Sequence, residues 1–297
     1  MWVGRILVEP LVATVLWGGV FTAAKLGMRE IPVLPFIAVR ILLAAILLLV
    51  FSGRSGWPHL DQPVWRALVG AGLAQTSFQV LLLLGIQLTT ASISAILLAT
   101  APLLTAGWLA ATGRQRLGTR QWFGLGIGLA GVALVVGASG GGGTLLGNVL
   151  ALAAAFAWTW YGIAIGPLAR AVGSVRAAAS TLVIAGTLIV PFGVPDILSV
   201  DWAHLSPTAW MGLLYGATLG LVVATVFWVR SIEQWGPQAT AVYGYIEPVA
   251  AVVIAALLLG ETLGPIQAAG AVLALAGVYL ASGEPAGKRS APPLAPA

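Results

Sequence analysis

Hydrophobic residues run along the chain in ten blocks, each close to the roughly 20 residues a helix needs to cross a bilayer. The blocks fall at 8–28, 33–52, 65–86, 90–112, 119–138, 145–167, 175–195, 208–230, 237–259 and 264–282, each bounded by Gly, Pro, charge or Trp. The connections between them are mostly short, which predicts hairpins of neighbouring helices rather than spans joining large soluble domains. The pattern therefore predicts an all-α membrane protein with ten transmembrane helices.

Several blocks carry polar and aromatic positions at helical spacing. The third places Gln75, Phe78, Gln79 and Leu82 on one face, and the first clusters Thr14, Trp17, Phe21 and Thr22. The eighth aligns Tyr215, Thr218, Val222 and Thr225, the ninth Thr240, Tyr243, Gly244 and Glu247, and the sixth adds Trp158 and Tyr161. A polar group left unsatisfied against lipid costs several kcal/mol, so these faces are expected to turn inward. Each could serve interhelical hydrogen bonding or substrate contact. Together they suggest a shared cavity with amides and hydroxyls at one end and rings at the other, suited to a zwitterion with an apolar or aromatic side chain. Two charges, Arg40 and Glu247, fall inside blocks, where an ionisable group is by default a functional hypothesis. Two readings stand for them. They form an ion pair locking the second and ninth helices, or Glu247 lies near the cavity and touches a substrate amine or carries a coupling proton.

Composition narrows the class. Of 297 residues, 59% are hydrophobic and 8% are charged, against roughly 25% charged in a soluble domain, and the mean hydropathy is +1.00. These values exclude a soluble enzyme, a nucleic-acid binder and a disordered protein. The net charge of +5 looks like a nucleic-acid signature until the basic residues are placed. Cytoplasmic loops of membrane proteins carry an excess of Lys and Arg. With the N-terminus inside, Arg5, Arg54, Arg66, Arg114, Arg116, Arg120, Arg170, Arg176, Arg230, Lys288 and Arg289 fall on the inner side, whereas Lys25 and Arg29 fall outside. Both termini are thus expected in the cytoplasm. The first block reaches Lys25 without a small-residue cleavage site, so it reads as a span rather than a cleaved signal peptide.

The stretch 117–134 matches 263–280 at a constant offset of 146, pairing Gly118 with Gly264, Gln121 with Gln267, Gly124 with Gly270 and Gly131 with Gly277. The same offset pairs Pro102 with Pro248 and Gln115 with Glu261. A repeat five spans long is odd, so the second copy enters the membrane from the opposite face, the inverted-repeat plan of alternating-access carriers. The expected units are 1–138 (spans 1–5), a Gly-rich outer linker at 139–144, 145–282 (spans 6–10) and a disordered cytoplasmic tail at 283–297. Small residues at three-to-four spacing on spans five and ten let backbones approach closely, so these spans are expected to act as scaffold or dimer contact.

The series WGG…TAAK (17–25), Arg40, Pro102, YIEP (245–248) and LLLGETLGPIQAAGA (257–271) resembles the EamA-type drug/metabolite transporters over nearly the whole chain. The first copy departs from the family pattern with Arg114-Gln115 where Gly-Glu is usual. The resemblance implies a bacterial inner-membrane carrier exporting amino acids, aromatic ones among them, as a monomer or homodimer. Its partners would be a small-molecule substrate and membrane lipid, with no nucleic acid. Another metabolite or drug as cargo, uptake instead of export, and a channel or receptor are the alternatives. Enzyme chemistry finds no support: His59 and His204 fall in loops on opposite sides, Asp61, Asp196 and Asp201 fall in loops, and there is no Cys and no HExxH. No cofactor is expected.

Overall fold

A computed structural model describes residues 8–51, 61–113, 117–137, 143–235 and 242–281, all helix or short connection. Linker residues 139–142, the tail, Arg5, Arg54, His59, Arg114–Arg116 and Thr240 lie outside the described residues. The helices are α1 (Val8–Gly27), α2 (Val33–Phe51), α3 (Gln62–Leu88), α4 (Ala91–Leu98), α5 (Ala101–Ala111), α6 (Thr119–Gly137), α7 (Leu145–Val172), α8 (Ser174–Ser199), α9 (Pro207–Leu214), α10 (Ala224–Trp235), α11 (Ile246–Leu259) and α12 (Pro265–Ala281). A π-helical stretch, Tyr215–Val223, joins α9 to α10, and a 3₁₀ turn, Val242–Tyr245, leads into α11. Among the described residues, eight helical segments are long and apolar enough to cross a membrane, and Tyr243–Leu259 and Pro265–Ala281 are shorter apolar helices. Asp196 sits in the last turn of α8 and not in a loop.

Local chemistry sets the helix starts. Asp61, Thr90, Thr144 and Ser206 each accept a backbone N–H of the first turn they precede, the usual service of a short oxygen-bearing side chain to donors that have no intrahelical partner. Stops fall where a side chain would be strained: Gly260 closes α11 at φ +67°, and Gly113 follows α5 at φ +68°, a left-handed backbone that costs other residues. Measured by the 146 offset, Gly113 lies one residue ahead of its counterpart, so the first copy keeps the glycine stop that Arg114-Gln115 had seemed to delete.

The fourth block is broken between α4 and α5. Pro102 lies in the first turn of α5, where its missing N–H is tolerated, whereas a helix interior would not tolerate it. Its repeat partner Pro248 likewise falls in the first turn of α11. Both copies thus interrupt the same span at the same proline.

Packing pairs the halves. The most extensive helix contacts are α3 with α7, α6 with α12, α2 with α8, and α1 with α11, and α7 also meets α4 and α5 while α1 meets α9, the π stretch and α10. Exchanging spans 1–5 with spans 6–10 maps this set of contacts onto itself. At the centre of one such pairing, a Cβ placed on Gly131 would lie 2.3 Å from the Ala274 backbone nitrogen, and one on Gly277 would lie 2.3 Å from Gly128. The glycine faces of α6 and α12 are therefore used on each other within one chain. Gln121 and Gln267 repeat the same local device, each accepting the backbone N–H three residues earlier, from Gly118 and Gly264, at 2.9 Å.

The large buried core lies among α1, α2, α3, α7, α8 and the start of α9, with Phe21, Phe36, Ile37, Ile41, Leu83 and Ile86 almost wholly enclosed. At the end of the bundle holding the α1–α2 connection, Glu30 accepts the Ser206 backbone N–H at 2.8 Å and also the Ser206 hydroxyl, securing the start of α9. These donors hold the Glu30 carboxyl below the ordinary glutamate range.

Gly277→Val is expected to overpack the α6–α12 contact at a cost of about 1–3 kcal/mol, read as a lower melting temperature in detergent. Gly126→Ala, whose added Cβ meets nothing within 4 Å, leaves it unchanged. Because the Glu30 pKa is depressed in the folded chain, its cap contributes above the unfolded glutamate value of about 4.3. The contribution is lost as pH falls through the lowered value. Ser206→Ala is expected to move the Glu30 titration upward in a carboxyl NMR experiment.

Candidate functional site

Two aromatic junctions face the interior, one in each symmetry-related helix pairing. On the α3–α7 side, Phe78 meets Trp158 with ring centroids 4.8 Å apart, and Trp158 stacks on Tyr161 at 5.2 Å and 25°. On the α1–α10 side, Trp17 meets Trp228 at 5.2 Å. Helical spacing produces the first junction, since Trp158 and Tyr161 are i and i+3 on α7, while Gln75, Phe78 and Gln79 share one face of α3.

Beside the first junction sits Arg40, 1% exposed, which donates from its terminal guanidinium nitrogen to Gln79 Oε1. The guanidinium carbon lies 5.9 Å from the centre of the Phe36 ring, and Gly216 of the π stretch leaves room for the stem, since a Cβ there would come within 2.8 Å of Arg40 Cδ. Arg40 Nε and Gln75 Oε1 are both buried without a hydrogen-bond partner among the described residues. Buried polar atoms are rarely left so.

The ion pair expected between Arg40 and Glu247 is not formed. Gln79, on the next helix, accepts from one terminal nitrogen of the guanidinium instead. The ion pair found among the described residues is His204–Asp201, 2.7 Å apart and exposed. Glu247 stands in the first turn of α11. Its backbone carbonyl packs 2.9 Å from where a Cβ would stand on Gly18 of α1.

The remaining expected residues divide by role. Trp17 Nε1 donates to the Gly220 carbonyl at 3.0 Å, and the Tyr215 hydroxyl donates to the Leu16 carbonyl at 3.0 Å. These bonds tie α1 to the π stretch from both directions. Thr218 donates to the Leu214 carbonyl of its own helix at 2.6 Å, and Phe21 lies in the core. Tyr243 lies in the 3₁₀ turn, half-buried. Trp160 packs edge-on against Trp108 at 5.7 Å on an outward surface.

Sequence reasoning missed the residues that serve the helix breaks. Thr159 donates to the Ala101 carbonyl at 3.0 Å, at the α4–α5 interruption. Glu261, the repeat partner of Gln115, accepts the N–H groups of Ala91 and Ser92 at 2.9 and 3.0 Å and the Ser92 hydroxyl at 2.8 Å. An acid next to the Gly260 stop was the visible signal, but the helix it caps lies 170 residues away.

Comparison with known proteins agrees with this arrangement. The model of the EamA-like transporter family matches twice, at residues 3–137 and 145–283. The "Probable amino-acid metabolite efflux pump" of Salmonella typhimurium is 29% identical over 91% of this chain and 92% of its own. The "Uncharacterized inner membrane transporter YedA" of Escherichia coli K12 is 28% identical over 85% and 82%. The "Probable terminal-alkyne amino-acid exporter" of Streptantibioticus cattleyicolor is 27% identical over 94% of each. A crystal structure with 19% sequence identity superposes at a TM-score of 0.63, covering 92% of this chain and 96% of the other, and so shares the fold. With a family match across both halves and a bundle of apolar helices, the chain belongs to the EamA-like transporter family and is a multi-pass membrane transporter.

Proposed function

We propose that the chain is a secondary carrier that exports amino acids, aromatic ones among them, across the bacterial inner membrane by alternating access. Its working units are two inverted five-span repeats, 1–138 and 145–282, joined by the 139–144 linker, with both termini in the cytoplasm. The shorter helices α11 and α12 then complete ten crossings: the 17 residues of α12 rise about 25 Å at 1.5 Å each, near the lower limit for a span. The symmetric pairing of helices supports this reading, as does the interruption of spans four and nine at matched prolines. Inverted-repeat carriers place their sites at such broken helices.

The observation that carries the cargo assignment is the Phe78–Trp158–Tyr161 stack beside Arg40, Gln79 and Gln75. It offers rings for an apolar side chain, a guanidinium nitrogen without a partner for a carboxylate, and an amide oxygen without a partner for an ammonium group. Trp17, Tyr215 and Tyr243 then form the opposing wall, and Glu247 contacts the substrate amine or carries the coupling proton. The relatives named as amino-acid exporters point to the same cargo.

Purified chain in proteoliposomes is expected to move labelled amino acids in a panel that includes aromatic and aliphatic members. Trp158→Ala and Phe78→Ala should raise KM for aromatic members roughly tenfold and change aliphatic members less, since a lost aromatic contact is worth about 0.5–1.5 kcal/mol beyond area. Movement of an unrelated metabolite with no amino-acid flux would reject the cargo and retain the carrier. Glu247→Gln is expected to flatten the pH dependence of flux, and an unchanged rate and pH profile would remove Glu247 from the mechanism.

A further inference from the structure

The polar ties between helices are concentrated at the end of the bundle that holds the α1–α2 and α11–α12 connections. There Glu261, from the second half, caps the start of α4 in the first, while Glu30, from the first half, caps the start of α9 in the second. Lys25 Nζ donates to the carbonyls of Ile86, at 2.7 Å, and Thr89 at the end of α3. Each charge suits the helix end it meets: carboxylates at N-termini and an ammonium at a C-terminus. The two caps are reciprocal, so neither half can tilt at this end without withdrawing a carboxylate from the other.

Immediately inside this layer the structure holds two buried hydroxyls without partners, Thr22 Oγ1 on α1 and Ser94 Oγ on α4. Thr22 is three residues from Lys25 along α1, and Ser94 is two residues from Ser92 along α4. Outside the layer, a pocket of about 400 Å³ is lined by Lys25, Met28, Arg29, Gln87, Thr90 and Glu261. The caps thus lie between this pocket and two buried hydroxyls that a polar solute would satisfy.

We infer that Glu261, with Lys25 and Glu30, is a gate that shuts the bundle at the α1–α2 end, and that this end opens to substrate by withdrawing Glu261 from the start of α4. The inference rests on the alternating-access reading for its role in transport. Gating itself is a property of the caps and can be measured without cargo. These are positioning residues, since they act on the helices and touch no substrate in the closed bundle.

The chain contains no cysteine, so Thr22→Cys or Ser94→Cys supplies a unique reporter beneath the gate. In oriented membrane vesicles, its reaction with a membrane-impermeant maleimide is timed from each side. Glu261→Ala is expected to raise the rate from the α1–α2 side roughly tenfold, as loss of charge-assisted bonds worth about one decade would do. Glu261→Gln, which keeps an acceptor oxygen, should raise it less, and Glu30→Ala should act in the same direction. No rise at either reporter overturns the gate, and so does an equal rise from both sides, which signals general loosening. Added amino acid tests the carrier reading in the unmutated reporter chains. Opposite changes in the rates from the two sides support alternating access, and no change for any member of the panel counts against that reading while leaving the Glu261 result intact.

Discussion

Inside a bilayer no water is available to bond a freed carbonyl or N–H, so every interruption of a helix must be closed by another helix. This constraint organises the whole bundle. The chain breaks span four at Pro102, winds Tyr215–Val223 as a π helix and starts α11 at Tyr245. At each of the first two a side chain from the opposite half donates to a backbone carbonyl: Thr159 to Ala101, and Trp17 to Gly220. Tyr215 returns the exchange by donating to Leu16. The halves are thus interlocked by hydrogen bonds as well as by packing.

Interlocking of that kind must still permit movement, and the two sorts of contact differ in what they allow. The α6–α12 seam brings backbone against backbone through glycine at Gly131, Gly270 and Gly277. It tolerates neither a methyl group nor a shift, and it suits a fixed scaffold. The contacts around the site are side-chain bonds and stacked rings, which can break and re-form one at a time. At the α1–α2 end the ties are charged groups on helix termini next to a pocket of about 400 Å³, with room for water to take over the bonds if they open. The bundle thus grades from a rigid seam to a replaceable polar layer.

Much of this was legible in the sequence because lipid is a uniform solvent: an apolar block has one interpretation, and basic residues then order the loops. The α6–α12 seam could be read from matching glycines at a fixed offset, and Phe78 with Trp158 from aromatic positions on inward faces. The π stretch could not. Its sequence, YGATLGLVV, has no proline, and ordinary helical spacing groups Tyr215 with Thr218, whereas the wound structure uses Tyr215 and Gly220 to meet α1 and turns the Thr218 hydroxyl back on its own helix. Glu261 was visible as an acid beside a glycine stop, but which helix it caps depends on how the halves dock, and no local pattern records that.

The pairing of Arg40 shows why the simplest electrostatic expectation failed and why the alternative suits a carrier. A buried guanidinium looks for a carboxylate because Coulomb attraction is strong in a low dielectric, yet two charges must lose water to meet, and the penalty can exceed the gain. An amide oxygen satisfies part of the guanidinium at much lower desolvation cost. It also leaves positive charge unneutralised. A closed Arg40–Glu247 pair would bind α2 to α11 and present a neutral surface to a zwitterion. With Gln79 as partner, Arg40 keeps its Nε without a bond and its charge without a carboxylate, which is the property the proposed contact with a substrate carboxylate would use. Under that proposal the bond to the neutral Gln79 amide would hold the guanidinium in place once the ligand has left.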